Sequence, residues 1–353
     1  MKIEALFQRA VDNGASDLHL RVGLPPILRI NGRLRRQEDL PILTNDEAME
    51  MLEQVMSPEE KDRLLTEKEL DFAGAFGVFA RFRINVMWQR KTLSIACRVL
   101  PFNVPSIDEL ELPEVCKELI LQPRGLILVT GPTGVGKSTT VAAMIRHLNE
   151  NRDSNVVCIE DPIEYYHPNI KSIIAQRGLG EDTNSFHIAL VRSLRHDPDV
   201  IVVGEMRDLE TISAAITAAE TGHLVISTLH TSDAVQTIDR IIDVFPPGQQ
   251  PQIRLQLSQE ILAILSQTLL PRASGKGMIA AFEIVLANPS IRTIIREGRT
   301  YEIPTYTRIH QDPSAQSLDD ALAYLVRTRK VTREAAMRRT SDPKRLTKML
   351  ISP

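Results

Sequence analysis

The sequence contains few aromatic residues and few cysteines, and each shortage argues against a class of function. Aromatic side chains make up 4% of the 353 residues, so stacking platforms for single-stranded nucleic acid are not expected. The three cysteines, Cys97, Cys116 and Cys158, are far apart and form no Cys-x-x-Cys pair, which argues against a structural zinc site or a redox motif. Their spacing gives no sign of disulfides, as is usual in the reducing cytosol.

Excess basic charge and long apolar runs are missing as well. With a net charge of −3 the chain has no overall positive field to attract nucleic acid or anionic lipid, so we expect no nucleic-acid partner. No stretch approaches the roughly 20 apolar residues that cross a bilayer. Residues 1–14 form a short amphipathic helical pattern that carries acids, unlike a signal peptide. We therefore expect a cytoplasmic protein whose membrane contact is peripheral or made through a partner.

Residues 1–100 carry the pattern of a small α+β unit. The string "SDLHLRV" alternates apolar and polar residues as a strand does, and Asn31-Gly32 predicts a hairpin turn. Two capping boxes predict the starts of two helices, Thr44 with Glu47 and Ser57 with Glu60.

A later strand of this unit, "FARFRINVMWQ", is expected to present two arginines side by side. Alternation along the strand separates an apolar face from a polar face. The apolar face is formed by Phe82, Ile84, Val86 and Trp88, and the polar face by Arg81, Arg83 and Asn85.

The rest of the chain has a different pattern. Residues 101–113 contain three prolines and a cluster of acids, which predicts a linker between domains. From 114 to 353, continuous apolar strands such as "LILVT" and "VIVV" alternate with helical patterns. This alternation predicts an α/β domain with a parallel sheet covered on both faces. From about residue 290 the pattern is helical and basic.

A phosphate-binding motif, "GPTGVGKST", follows an apolar strand and precedes a helical pattern, which is the context that a P-loop requires. Its glycines let the backbone wrap a phosphate with N–H groups, and the helix N-terminus adds partial positive charge. Lys137 would reach the β- and γ-phosphates of ATP, and Ser138 or Thr139 would bind Mg²⁺. The alternative is a glycine-rich turn with a chance lysine. The residues expected at the nucleotide are Gly131, Pro132, Thr133, Gly134, Val135, Gly136, Lys137, Ser138 and Thr139.

Hydrolysis also needs carboxylates, and two later strand ends supply them. The string "IEDPIEY" places Glu160, Asp161 and Glu164 at the end of an apolar run. In "VIVVGEMRD", Glu205 follows a strand that resembles a Walker B strand, with a glycine where an aspartate is common. Glu205 is then the carboxylate left to hold Mg²⁺ through water, unless it caps the following helix. Asp208 is the better candidate for that cap.

Histidine and arginine side chains add further candidates. His223 precedes the strand "LVISTL" and His230 follows it, and a lone histidine is usually structural. Because the carboxyl ends of parallel strands face the ligand crevice, His230 is well placed to sense the γ-phosphate. The amphipathic helical pattern "SFHIALVRSLRHDPD" carries Arg192 and Arg195 on its polar side. These arginines are either solvated charges or groups that organise the nucleotide site or a subunit contact.

Four motifs now stand in one order along the chain: "GPTGVGKST", "IEDPIEY", "RSLRHDPDVIVVGEMRD" and "TGHLVISTLHTSDA". Together they resemble the Walker A, Asp box, Walker B and His box of the secretion ATPase superfamily. Within it, the chain is most similar to the retraction ATPases of type IV pili. The start, "ASDLHLRVGLPPILRINGRLR", resembles the N-terminal domain of those proteins.

The resemblance implies a PAS-like N-terminal domain and a RecA-like core. It also implies a homo-hexamer with ATP between domains, at work on the inner face of the cytoplasmic membrane with a pilus platform protein. Glu164 becomes the general base, while Glu160 and Asp161 organise the loop and the surroundings of the metal. Arg81 and Arg83 match the family pattern "RFRxN", whose arginines reach the nucleotide and can increase the rate about 10³–10⁵-fold.

The sequence departs from the family in three places. The element "AIRNLI", linked to retraction, appears here as "SIRTIIRE", with Ser290 and Thr293 as the altered residues. Asp233 stands where small or hydroxyl residues are common, and the tail after Thr300 is less typical.

Two other functions remain open from the sequence. An assembly or export ATPase of the same superfamily usually carries a longer N-terminal region and a four-cysteine zinc element, which this sequence lacks. A nucleotide-gated adaptor that modulates another motor would bind ATP but hydrolyse it poorly.

Overall fold

The structure, a computed structural model, describes residues 2–30, 32–76, 80–100, 103–309 and 314–351. It divides the chain into two compact units, Met1–Asn103 and Val104–Pro353.

In its described residues, the first unit is an antiparallel sheet with three helices, in agreement with the predicted α+β pattern. Its six strands are arranged in the order β3-β2-β1-β6-β5-β4. The helices are α1 (Ile3–Asp12), α2 (Asn45–Glu53) and α3 (Pro58–Glu67), and the strands are β1 (Asp17–Arg21), β2 (Ile27–Ile30), β3 (Arg33–Arg36), β4 (Glu69–Phe76), β5 (Ala80–Gln89) and β6 (Thr92–Leu100).

Local signals in the sequence set these elements. Thr44 and Ser57 form the two predicted capping boxes and begin α2 and α3, so both helix starts are confirmed. The predicted hairpin is formed by β2 and β3, where Ile30 pairs with Arg33. Asn31 itself lies outside the described residues.

The alternation along β5 is confirmed with one difference. Phe82, Ile84 and Val86 are fully buried in the core of the unit. On the other face Arg83 is partly exposed, with its Nε 3.5 Å from Oδ1 of Asp71. Arg81 shares that face but is only 3% exposed, so the two arginines are not equally presented, in contrast to the expectation.

The second unit is built on a seven-stranded sheet in the order β13-β12-β7-β11-β10-β8-β9. Its strands are β7 (Gly125–Thr130), β8 (Asn155–Glu160), β9 (Ile173–Gly178), β10 (Val200–Val203), β11 (Leu224–Leu229), β12 (Ile261–Pro271) and β13 (Met278–Leu286). The pairs from β12 to β9 are parallel, and β13 is antiparallel to β12.

Helices cover both faces of this sheet. They are α4 (Val115–Ile120), α5 (Lys137–Asn151), α6 (Phe186–Ser193), α7 (Leu209–Glu220), α8 (Ala234–Asp243), α9 (Gln250–Glu260), α10 (Pro289–Arg296), a 3-10 turn (Thr300–Glu302), α11 (Ile303–Ile309), α12 (Leu318–Arg327), α13 (Arg333–Met337) and α14 (Pro343–Ile351). None of the helices in the described ranges is long and apolar enough to cross a membrane.

The central strands β7, β10 and β11 are buried along their whole length, as their continuous apolar patterns predict. One core lies between the sheet and α6, α7 and α8, and another lies between the sheet and α4 and α5. The predicted fold class, an α/β P-loop core preceded by a smaller α+β domain, is therefore confirmed.

The predicted linker, 101–113, is divided in the structure. Pro101 and Phe102 lie outside the described residues, and residues 104–113 belong to the second unit. Ile107 and Leu112 are buried there against the core that contains β7 and α5. The prolines and acids predicted a linker between domains, but Ile107 and Leu112 between them pack into the core of the second unit.

The acids of this segment form ion pairs on the surface of the second unit. Glu111 binds Arg272 at 2.7 Å and also pairs with Lys330. Together the two cations lower the pKa of the Glu111 carboxyl. Residues 104–113 are therefore fixed to the second unit by both apolar packing and charge.

We expect Ile107→Ala to lower the free energy of unfolding of the second unit by about 2–5 kcal/mol, since it removes a fully packed side chain. Asp108→Ala is the matched control, because the neighbouring carboxylate is 75% exposed and makes a surface ion pair with Lys117. Such pairs contribute about 0–1 kcal/mol. Denaturant unfolding of both variants is the measurement, and equal small effects would contradict the packing of this segment.

Candidate active site

The P-loop connects β7 to α5 through residues 131–136, and its glycines are required by geometry. Gly131 has a φ of 143°, and a Cβ at this position would lie 2.4 Å from the main-chain oxygen of Gln267 on β12. Gly136, which precedes α5, has a φ of 90°, in the region that side chains disfavour. The chain therefore turns tightly enough to aim N–H groups at a bound anion.

The Gln267 side chain also holds this loop from outside the motif. Its Nε2 donates to the Val135 carbonyl at 2.7 Å, and its Oε1 accepts from Oγ1 of Thr140 at 2.8 Å. No motif in the sequence marks Gln267, which lies far from the P-loop along the chain. A polar residue inside the apolar run "ILAILSQTLL" is the signal that could have identified it.

Lys137, the first residue of α5, is buried and bends back over the loop. Its Nζ donates to the carbonyl oxygens of Gly131 at 2.7 Å and Pro132 at 3.1 Å. Burial lowers the pKa of Lys137, while the carboxylates of Glu205 and Glu164 oppose that shift. The amine therefore lies in the field of both predicted catalytic carboxylates.

The two hydroxyl candidates for Mg²⁺ differ in their surroundings. Oγ1 of Thr139 shares a hydrogen bond of 3.0 Å with the hydroxyl of Tyr165. Ser138 is exposed on the first turn of α5. The arrangement favours Ser138 as the group that faces a bound ligand.

The loop that follows β8 carries the three acids of "IEDPIEY". Gln176 on β9 holds this loop, since its Nε2 donates to Oε1 of Glu160 at 3.0 Å and to the carbonyl of Tyr165 at 2.7 Å. Asp161 is exposed, and its peptide bond to Pro162 is cis. Glu164 is partly buried, and its charge opposes the lowering of the Lys137 pKa that burial causes. Glu160 thus anchors the loop, while the charge of Glu164 acts on the P-loop lysine.

Glu205 follows β10 and is 15% exposed. Its Oε1 lies 2.7 Å from Nε of Arg207, and its Oε2 lies 3.3 Å from Nε2 of His230. Asp208 caps α7 by accepting from the Thr211 N–H at 2.8 Å, so the alternative role of Glu205 as the helix cap is wrong.

Gly204 lies directly before Glu205, at the position where an aspartate is common. A Cβ there would lie 3.1 Å from the Ile159 carbonyl and 3.3 Å from Cα of Glu160. The end of β10 therefore packs closely against the end of β8, and a larger residue would push the two carboxylate-bearing loops apart.

The two histidines lie at opposite ends of β11. Nδ1 of His230 lies 3.3 Å from Oγ1 of Thr133 on the P-loop, and its Nε2 faces Glu205. His223 instead binds the end of α7, with Nδ1 2.8 Å from the Ala218 carbonyl. Six strand residues separate them, which corresponds to about 20 Å. His230 thus belongs to the group around the P-loop, and His223 has a structural place away from it.

The remaining arginines do not join this group within the second unit. Arg192 is exposed near the end of α6, which ends at Ser193, so Arg195 lies beyond the helix in which it was predicted. The turn at 195–197 is bonded to Asn155, at the start of β8 and away from the P-loop edge. Arg81 and Arg83 belong to the first unit, and their contact with a nucleotide stays a prediction.

The donor set fits Mg²⁺ held mainly by a nucleotide. Among the described residues no cluster of three or more His, Cys, Asp or Glu could hold a metal alone. Mg²⁺, however, keeps several waters and binds through one or two protein oxygens together with substrate phosphates. The Ser138 hydroxyl and the Glu205 carboxylate supply oxygens of that kind near the P-loop lysine.

Comparison with known proteins agrees with this geometry. The family described as "Type II/IV secretion system protein" matches residues 1–298. The "Twitching motility protein" of Neisseria gonorrhoeae is 44% identical over 317 residues, which cover 90% of this chain and 84% of that protein. The type IV pilus retraction ATPase PilT of Pseudomonas aeruginosa is 42% identical over 343 residues, which cover 97% and 99% of the two chains.

A solved structure is also similar over nearly the whole chain. The crystal structure of the pilus retraction motor PilT with bound ADP matches with a TM-score of 0.92 and 43% identity, and covers 99% of each chain. The resemblance to the secretion ATPases, drawn from four motifs, is confirmed by these matches. The chain belongs to the type II/IV secretion system protein family.

Proposed function

We propose that this protein is a hexameric ATPase motor whose hydrolysis of ATP powers the retraction of type IV pili. The observation that carries the proposal is the convergence of Lys137, Glu164, Glu205 and His230 at one edge of the sheet. The similarity to PilT of Pseudomonas aeruginosa, named a retraction ATPase, supports the specific task.

ATP would bind with its phosphates in the P-loop. The N–H groups of residues 131–136 and the N-terminus of α5 provide a positive potential for the phosphate oxygens. Lys137 already lies along the loop, bound to two carbonyls, and would exchange those bonds for the β- and γ-phosphates. Gln267 keeps the loop in this shape while the lysine moves.

Ser138 and Glu205 would hold Mg²⁺, the serine directly and the glutamate through water. The ion would neutralise part of the phosphate charge that develops during transfer. Glu205 is suited to this place because its oxygens already face two donors, Arg207 and His230, which fix its orientation.

Glu164 would orient and deprotonate the attacking water. The loop that carries it is held at both sides, by Gln176 on one side and by the bond between Tyr165 and Thr139 on the other. Glu160 and Asp161 would support this loop and the surroundings of the metal. His230, between Thr133 and Glu205, would register the presence of the γ-phosphate.

The arginines would link chemistry to movement. Arg81 and Arg83 would bring positive charge from the N-terminal domain to the γ-phosphate, as the family pattern implies, and domain motion would then control the rate. Arg192 and Arg195 are exposed and would serve contacts between subunits of a homo-hexamer.

The ring would act at the inner face of the cytoplasmic membrane on the pilus platform protein. An assembly ATPase or a nucleotide-gated adaptor is the alternative.

Steady release of phosphate from ATP by the isolated protein tests the enzymatic part of this proposal. We expect Glu164→Gln to bind ATP within a few-fold of the native affinity but to lose about 10² or more in turnover, because a general base contributes about 10²–10⁴. Glu150→Gln is the control, since this carboxylate lies at the other end of α5 and pairs with Arg146. Near-native turnover of the Glu164→Gln protein would exclude its role as the base.

The two histidines at the ends of β11 provide a matched pair. We expect His230→Ala to lower kcat by about tenfold or more, as loss of one preorganised group commonly does, with ATP affinity little changed. His223→Ala should leave kcat within about twofold, because that histidine binds α7 at the far end of the strand. Equal losses in both variants, measured by phosphate release, would remove His230 from the mechanism.

We expect Arg81→Ala and Arg83→Ala to lower turnover more than nucleotide affinity, because their charge would stabilise the transition state more than bound ATP. Kinetics of phosphate release and equilibrium nucleotide binding are measured on the same preparations. Arg98→Ala, on the neighbouring strand and paired with Asp17, is the control for general effects on this domain. A fall in affinity alone would make these arginines binding groups.

A further inference from the structure

A row of three polar side chains crosses the sheet beside the P-loop. Thr130, the last residue of β7, is paired with Ser266 on β12, and Ser266 is paired with Glu283 on β13. Oγ1 of Thr130 donates to Oγ of Ser266 at 3.1 Å. The Ser266 hydroxyl neighbours the Glu283 carboxylate across β12 and β13, where it acts to lower the pKa of that carboxyl. The row therefore begins one residue before Gly131.

The same carboxylate also holds the start of α8. Oε2 of Glu283 accepts from the Ala234 N–H at 2.8 Å. A carboxylate at this position is favoured because the first N–H groups of a helix lack partners within the helix. Asp233, which departs from the family pattern, caps α8 by accepting from the Gln236 N–H at 2.8 Å. The helix start is thus fixed by two acids, Asp233 directly before the helix and Glu283 in the sheet.

Glu283 occupies an environment that makes these bonds necessary. Burial raises the pKa of its carboxyl and the nearby Asp233 carboxylate adds to that, while the hydrogen bonds from Ala234 and Ser266 oppose the shift. A partly buried carboxylate destabilises a fold unless its hydrogen bonds are made. The bonds to the sheet and to the helix therefore stabilise one another.

The segment between β11 and α8 carries His230. This histidine makes contacts of 3.3 Å with both Thr133 and Glu205. Its proposed role in sensing the γ-phosphate therefore depends on the position of segment 230–233. A displacement of about 1 Å can cost about 10²-fold in rate. Ala234 is the point at which Glu283 fixes the far end of this segment.

We infer that Glu283 is a positioning residue for ATP hydrolysis, which ties the segment that carries His230 to the strand that leads into the P-loop. The inference rests on the function proposed above. Glu283 does not need to contact the nucleotide, because it acts through Ala234 on one side and through Ser266 and Thr130 on the other.

Kinetics of phosphate release by the full chain test this role with two variants of one residue. Glu283→Leu removes both hydrogen bonds, and we expect kcat to fall about tenfold while KM for ATP changes by less than about threefold. Glu283→Gln keeps an oxygen that can accept from Ala234, and we expect it to restore kcat to within about threefold of native. Equal losses in both variants would overturn the inference.

A double variant separates positioning from general stability. If Glu283 acts through His230, then Glu283→Leu combined with His230→Ala should be no slower than His230→Ala alone. If the loss in kcat of the double variant equals the product of the two single losses, Glu283 has a role unrelated to His230, and the inference is overturned.

If Glu283→Leu does not fold, Ser266→Ala tests the same role, because it interrupts the row of polar side chains while leaving the carboxylate bound to Ala234. We expect its loss in kcat to vanish in the His230→Ala background, and a loss that persists there would overturn the inference.

Failure of this inference is distinct from failure of the proposed function. A native protein that releases phosphate while Glu283→Leu has an unchanged kcat contradicts the positioning role alone. A folded native protein that binds ATP without turnover contradicts the proposed function, and the inference with it.

Discussion

The site depends on the close approach of the P-loop to the backbone of β12. Gly131 leaves no room for a side chain beside the Gln267 carbonyl, and the Gln267 side chain bonds the loop again at Val135 and the first turn of α5 at Thr140. These contacts set the direction of α5 and the path of Lys137. The other groups in the proposed mechanism can act on a bound nucleotide only if they are correctly positioned relative to that lysine.

Parallel strands bring the other groups to the same place. The ends of β8, β10 and β11 lead into the loops that carry Glu164, Glu205 and His230, and the order β7-β11-β10-β8 makes those loops neighbours. The close contact at Gly204 keeps two of the loops together. At the opposite end of these strands His223 has a structural role, since it binds α7 there.

The parts of the site that are contiguous in sequence could be predicted, and the parts that cross the sheet could not. The P-loop is a local motif, and the carboxylates follow apolar strands whose direction is set by the fold class. Gln267 and Glu283 carry no motif, because Thr140 lies 127 residues from Gln267 and Ala234 lies 49 residues from Glu283, and only the fold brings them together. Arg81 shows a further limit, since alternation predicted its face but not its burial.

The most direct measurement is a count of surface pili on cells that lack the gene for this chain, complemented with the native protein or with Glu164→Gln. We expect excess pili in the deleted cells, removed by the native protein and retained with Glu164→Gln. Deleted cells without pili would contradict retraction and indicate an assembly motor. Removal of the excess pili by Glu164→Gln would contradict the dependence of retraction on hydrolysis at this site.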